Sequence, residues 1–320
     1  MKSTLLLAGG LLALATSSAM ADAYPSRTIR LVVPYAPGGR AAIVARRISD
    51  DWGKALGVSM IIENKAGAGG NIGVDAVAKS PKDGYTIGLQ TVSLAINPSI
   101  FPKMPYDTLK DIAPIGTVAS SQHVLVLNNN FPAKNTMELV AAAKANPGKY
   151  SYGSAGSGST FHMSAELFKA VANVDILHVP YKGGGPALVD TIGGQVDMSF
   201  PVLSAALQQV QGGKLRAIGV TGPKRSPLMP DVPTLAESGA AGYSFETWFM
   251  VFAPAGTPKP VIDKLNDTLG KVLNDPALKE RMAKEGIDAT PSTPEQAQAK
   301  LTTELAQWAK VVKERGIKAE

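Results

Sequence analysis

The chain has no cysteine, which removes disulfides, thiolate metal sites and cysteine nucleophiles in one step. Histidine is almost as scarce. His123, His162 and His178 are the three present, and their spacing fits no metal-ligand pattern. No G-x-S-x-G elbow occurs, because the serines and glycines of residues 153–160 fall in the wrong phase. No phosphate-cradling G-x-x-x-x-G-K-S/T run is present. Gly67, Gly69 and Gly73 come near the dinucleotide fingerprint, yet Gln90 and Thr91 stand where its acidic residue belongs. No pair of carboxylates stands out as an acid–base dyad. The net charge of +6 is scattered and forms none of the stripes that nucleic acid needs. A mild field that draws in a small anion and a simple solubilising excess are both open readings of it. No apolar run reaches the roughly 20 residues that would span a bilayer. These absences favour binding over chemistry, and neither a metal nor an organic cofactor is expected.

What is present begins at the N-terminus. Lys2 supplies a positive start, residues 5–16 an apolar stretch of signal-sequence length, and Ala19-Met20-Ala21 a small-x-small cleavage pattern. The expectation is an export signal over residues 1–21, cleaved after Ala21, and a periplasmic mature chain that starts at Asp22. No cysteine follows the apolar stretch, so lipid attachment at that point is excluded. The remaining roughly 300 residues suffice for two domains, each with its own core. A composition of 45% hydrophobic and 18% charged residues is that of a globular protein.

Short β-branched runs alternate with longer amphipathic stretches, the α/β pattern. Strands are expected at residues 29–34, 58–63, 85–91, 124–127, 149–153, 176–179, 196–200, 215–220 and 247–253. Val44, Ile48 and Trp52 share one face of a helix, as do Phe161, Ala165, Phe168 and Ala172. Near the C-terminus, Ile262, Leu265, Leu269 and Val272 mark a helix. Thr293-Pro294-Glu295-Gln296 then reads as a cap, a proline at the first helical position and a capping-box glutamine. The helix it opens runs through Leu301, Leu305, Trp308 and Val312. No strand is expected in this last part, so its helices have to pack on a sheet formed earlier.

Three loops share the design of strand, glycine-rich turn and helix start. The first is Pro34-Tyr35-Ala36-Pro37-Gly38-Gly39, the second Gly67-Ala68-Gly69-Gly70-Asn71, and the third runs from Gly153 to Thr160 with Ser154, Ser157, Gly158 and Ser159 inside it. Glycine lets a ligand approach the backbone, and open N–H groups at a helix start form an anion site that the helix dipole strengthens. In open α/β sheets such loops lie beyond the strand ends, where ligands bind. Two loops early in the chain and one later suggest two lobes that offer N–H groups to a single anion. Hydroxyl groups of the third loop add donors suited to a carboxylate. His162 reads either as a donor to that anion or as a packing residue. Tyr181, in a fourth glycine-rich loop, is a candidate pocket wall.

These residues carry a family resemblance. Residues 29–34 with Pro37-Gly38-Gly39, the run from Glu63 to Gly73, Asp83-Gly84-Tyr85-Thr86, residues 150–160 with His162, the run from His178 to Gly184, residues 193–197, Pro230-Asp231-Val232-Pro233-Thr234 and residues 253–258 together resemble the Bug family, the extracytoplasmic solute receptors of tripartite tricarboxylate transporters. The resemblance covers essentially the whole mature chain. It implies an α/β fold of the two-lobed, type II periplasmic-binding-protein kind (a Venus flytrap), its lobes joined by two crossing strands near residues 123 and 247. Residues 22–123 and 248–320 would form the first lobe and 124–247 the second. It further implies a small carboxylate held by the first and third loops. The implied ligand-binding residues are Tyr35, Ala36, Gly38 and Gly39 from the first, and Ser154, Ser157, Gly158, Ser159, Thr160 and His162 from the third. Asn71, Thr91 and Tyr181 complete the candidate pocket. The expected partners are that ligand and the transporter's membrane subunits, with no nucleic acid and a monomeric state.

One departure stands out. The family's Pro-Gly-Gly is usually followed by two residues and an aspartate, whereas this chain continues Arg40-Ala41-Ala42. The expectation is that Arg40 and Ala41 join the site, and that the guanidinium either meets an extra negative group on the ligand or faces solvent. A receptor without catalytic activity is the favoured reading. A periplasmic hydrolase built on residues 154–162 and a ligand-presenting sensory receptor are the alternatives.

Overall fold

The computed structural model describes residues 24–35, 37 and 39–318. The expected export signal and its cleavage site lie outside the described residues, as do Ala36 and Gly38. In chain order the elements are β1 (Ile29–Val33), α1 (Arg40–Leu56), β2 (Met60–Asn64), α2 (Asn71–Ala78), β3 (Thr86–Thr91), α3 (Ser93–Ile100), β4 (Ile112–Gln122), β5 (Val124–Asn128), α4 (Thr136–Ala145), β6 (Ser151–Ser154) and α5 (Thr160–Ala172). There follow β7 (Leu177–Pro180), α6 (Gly184–Gly193), β8 (Met198–Ser199), α7 (Leu203–Gln211), β9 (Leu215–Val220), β10 (Glu246–Pro254), α8 (Lys259–Leu273), α9 (Pro276–Lys284), β11 (Asp288–Ala289) and α10 (Pro294–Arg315).

The strands form two sheets with the same plan. The first has the order β11-β4-β10-β3-β1-β2 and the second β7-β6-β8-β5-β9. In each, three strands run parallel (β2, β1 and β3; β7, β6 and β8), and an antiparallel strand separates them from the next (β10; β5). β5 reaches the second sheet one residue after β4 leaves the first, and β10 returns to the first after β9. The result is two α/β lobes joined by two crossings, with the chain's last helices back on the first sheet.

Burial follows the sequence periodicity. Val44, Ile48 and Trp52 of α1 are fully buried against β1 and α8, where the Trp52 indole donates to Thr268 Oγ1 at 3.0 Å. The capping box forms as expected. Thr293 Oγ1 accepts from the Gln296 N–H and the Gln296 side chain accepts from the Thr293 N–H. α10 packs on α3 and β4 but also reaches α5. Trp308 stacks edge-on against Phe245, just before β10.

Two expectations are corrected. β4 is the longest strand and is missing from the sequence reading, because Ile112–Gln122 interrupts its β-branched residues with Pro114, Gly116, serine and alanine; its strand character comes from pairing on both sides, with β10 and β11. The C-terminal part does contain a strand. β11, two residues long, pairs antiparallel with β4 at Ser120 and Ala119, and an element that short carries no periodic signal.

Candidate functional site

Between the two sheets lies a cavity of about 610 Å³. Gly39, Arg40 and Ala41 line it from the start of α1, and Ser157, Gly158, Ser159 and Thr160 from the start of α5. Two helix N-termini on opposite lobes therefore face one space. Each helix start is worth roughly half a positive charge, so the pair offers about the charge that one carboxylate needs.

The two helix starts are built differently. α1 has Gly39 as N-cap in extended conformation, with no side-chain cap. The N–H groups of Arg40, Ala41 and Ala42 precede the first intrahelical bond, from Ile43 to the Gly39 carbonyl at 3.0 Å, and so have no partner within the helix. α5 is capped by Ser159 Oγ, which accepts from the His162 N–H at 3.3 Å. The Gly158 N–H donates to His162 Nδ1 at 3.0 Å. Ser154 Oγ lies 2.6 Å from His178 Nε2 and accepts from the Gly156 N–H at 3.1 Å. His162 and His178 stack at 4.0 Å, with Tyr152 continuing the stack. Burial, then the neighbouring His178, pushes His162 down to about 3. The neutral ring is therefore the form that accepts from Gly158.

The floor comes from the crossings and from α3. Ser121, Val202, Thr247 and Phe249 line the cavity there. His123, fully buried at the first crossing, links both. Its Nδ1 donates to the Phe200 carbonyl at 2.8 Å, which leaves Nε2 to accept from Thr247 Oγ1 at 2.9 Å. Burial pushes His123 down to about 4. Ile100 and Phe101 make an apolar wall between the second and third loops. Ile100 Cδ1 comes so near Gly158 that a Cβ there would lie 2.9 Å away, and Phe101 sits against Gly69. Tyr35 lines the cavity with its hydroxyl bonded to Thr91 Oγ1 at 3.0 Å and Ser93 Oγ at 3.2 Å. Burial pushes its phenol up, with these hydrogen bonds opposing.

Of the expected site residues, the structure brings Tyr35, Gly39, Arg40, Ala41, Thr91, Ser157, Gly158, Ser159 and Thr160 to the cavity. It places four elsewhere. Ser154 is fully buried behind the third loop. His162 is 6% exposed inside its ring stack, the arrangement expected of the packing alternative. Asn71 is buried, its Oδ1 accepting from Asn97 Nδ2 at 2.8 Å and the Tyr106 hydroxyl at 3.0 Å, so that it ties the second loop to α3. Tyr181 turns away to donate to Asp190 Oδ2 at 2.8 Å. Gly73 of the near-fingerprint is a packing glycine, since a Cβ there would lie 2.5 Å from Pro34 Cβ and 2.8 Å from the Lys65 carbonyl. A serine–histidine pair does exist, but as Ser154 with His178, sealed from the cavity. The residues missed are Pro37, Gly69, Ser93, Asn97, Ile100, Phe101, Ser121, Val202, Thr247 and Phe249. Ser93 carried a usable signal, because it opens a helix directly after a strand.

Arg40, charged alone among the described residues that line the cavity, neither faces solvent nor points freely inward. It donates to the Glu285 carbonyl at 2.9 Å and to the Ser204 hydroxyl. Among the described residues, no group of histidine and carboxylate side chains is arranged to hold a metal ion.

Residues 44–317 match the model of the tripartite tricarboxylate transporter family receptor. BugT of Bordetella pertussis is 38% identical over 300 residues, which span 93% of this chain and 92% of BugT. An R. palustris protein solved with adipate is 34% identical with a TM-score of 0.78, over 92% of this chain and 99% of the other. MatC from Rhodopseudomonas palustris with bound malate is 31% identical with a TM-score of 0.73, over 90% of this chain and all of MatC (100%).

Proposed function

The chain belongs to the tripartite tricarboxylate transporter receptor family, and from that premise we propose that it captures a small organic carboxylate between its lobes and delivers it to membrane subunits of a transporter. It is a solute-binding receptor rather than an enzyme. The reading places it in the periplasm, exported by residues 1–21. The moving parts are residues 22–123 with 248–320 against 124–247.

The observation that carries the proposal is the pairing of helix starts. α1 and α5 approach one cavity from opposite lobes, and a carboxylate between them would take N–H groups from both. Ser157 and Thr160 add hydroxyls to that end. The rest of the ligand rests against Ile100, Phe101, Val202 and Phe249, which are apolar. The likeness to relatives solved with adipate and with malate supports a carboxylate of this size. Contacts from both lobes favour closure, because only the closed state makes both sets.

A thermal-shift panel of mono-, di- and tricarboxylates and aromatic acids tests the proposal. A true ligand at about 100 times its Kd stabilises the fold by roughly 2.7 kcal/mol, a rise in melting temperature of roughly 5 °C. No shift with any acid, or turnover of carboxylate esters by the protein, contradicts it.

A further inference from the structure

Arg40 opens α1 on the first lobe, and its guanidinium reaches the second. Ser204, which accepts one of its N–H groups, is the second residue of α7. α7 belongs to the second lobe, where Leu203 and Ala206 pack among Val124, Val126, Leu215 and Val220. Glu285, whose carbonyl takes the other, follows α9 on the first lobe. That turn is fixed on its own side. Arg47 of α1 pairs with the Glu285 carboxylate, and Ser121 Oγ donates to the Gly286 carbonyl at 3.0 Å. Gly286 has φ +70°, and a Cβ there would lie 2.9 Å from Ser204 Cβ. The turn, the arginine and the serine thus meet between the lobes, beside the first crossing at Ser121.

The chemistry favours a clasp over a ligand grip. A cation at a helix start is opposed by the helix dipole, and here a carbonyl and a hydroxyl offset that opposition. Two guanidinium nitrogens are already engaged before any ligand enters. We propose that Arg40 is a positioning residue that clasps the lobes through Ser204 and weights the closed arrangement, without gripping the ligand's carboxylate. Its consequence for binding rests on the receptor reading above; the clasp itself does not. A residue that stabilises the closed state raises the affinity of every ligand of that state by one factor. A residue that touches a carboxylate favours ligands with more of them.

The absence of cysteine makes the test clean. Cysteines introduced at the exposed Lys54 of α1 and Lys144 of α4 carry a spin-label pair, one on each lobe. Interlobe distances are recorded without ligand for the labelled parent, Ser204→Ala, Arg40→Ala and Arg281→Ala, the last removing a pair with Asp51 inside the first lobe. The expected result is a shifted or broadened distribution for Ser204→Ala and Arg40→Ala and the parent distribution for Arg281→Ala. Affinities for adipate and hexanoate, with the same carbon chain and two or one carboxylates, should fall by a common factor of about 5 to 20 in both clasp variants. Unchanged distances in both clasp variants overturn the proposal, as does an Arg40→Ala loss that is larger for adipate than for hexanoate. Should the parent bind neither acid nor any other carboxylate, the receptor reading fails, while the distance measurement still decides the clasp.

Discussion

The starts of α1 and α5 face the same cavity and offer the same groups, yet they are held in opposite ways. At α1 the backbone does the work, since Gly39 caps without a side chain and the first N–H groups have no partner within the helix. At α5 a set of side chains fixes the turn: Ser159, His162, His178 and Ser154 all spend hydrogen bonds on the loop itself. Polar residues near a binding loop are therefore not all ligand contacts. Some of the most suggestive ones hold the main chain in the shape that presents its N–H groups.

The largest expected effect breaks the braced side. His162→Ala removes a buried ring from a stack and strands the Gly158 N–H, for a loss of about 3–4 kcal/mol in chemical denaturation. A loss under about 1 kcal/mol would show that the brace is dispensable.

Acid should act next, on the braced side through His162 and at the first crossing through His123. Folding holds His162 at about 3 and His123 at about 4, against an ordinary 6.5. Between these values the unfolded chain binds protons that the folded chain does not. Stability is therefore full above 6.5 and falls as the pH drops toward 4, by about 2 kcal/mol per histidine at about pH 5. A denaturation midpoint that is flat across this window contradicts the neutral, buried assignment. His162→Asn should keep the His123 share of the slope alone.

The two caps give a smaller and sharper pair. Ser159→Ala should cost about 1 kcal/mol of stability through the lost cap. Gly39→Ser runs the other way. A serine at the N-cap of α1 should add about 0.3 kcal/mol, while its hydroxyl occupies N–H groups that the ligand would use. Calorimetry should then show weaker carboxylate binding in a slightly more stable protein. Unchanged affinity would remove α1 from the site.

The fold was largely legible because its parallel strands and amphipathic helices carry strong periodicity. Val44, Ile48 and Trp52 located α1, and Thr293-Pro294-Glu295-Gln296 located the start of α10. β4 and β11 were not legible, since their strand character comes from neighbours distant in sequence. The loops at the cavity were found from glycine and serine spacing, and the family resemblance joined the first loop to the third. What spacing does not show is the direction of a side chain. Ser154, Asn71, His162 and Tyr181 have the right chemistry in the right loops, and each is turned onto the protein itself. The floor residues Ser121, Thr247 and Phe249 were hidden because they sit inside strands, where a polar or aromatic residue has many ordinary reasons to occur.

Amide chemical shifts during a carboxylate titration test the central claim most directly. With an acid that stabilises the protein, the N–H signals of Arg40 and Ala41 and those of Thr160 and Phe161 should move together, with one half-saturation concentration, because one carboxylate lies between both helix starts. Movement confined to one helix start, or movement at the two with separate half-saturation points, would contradict it.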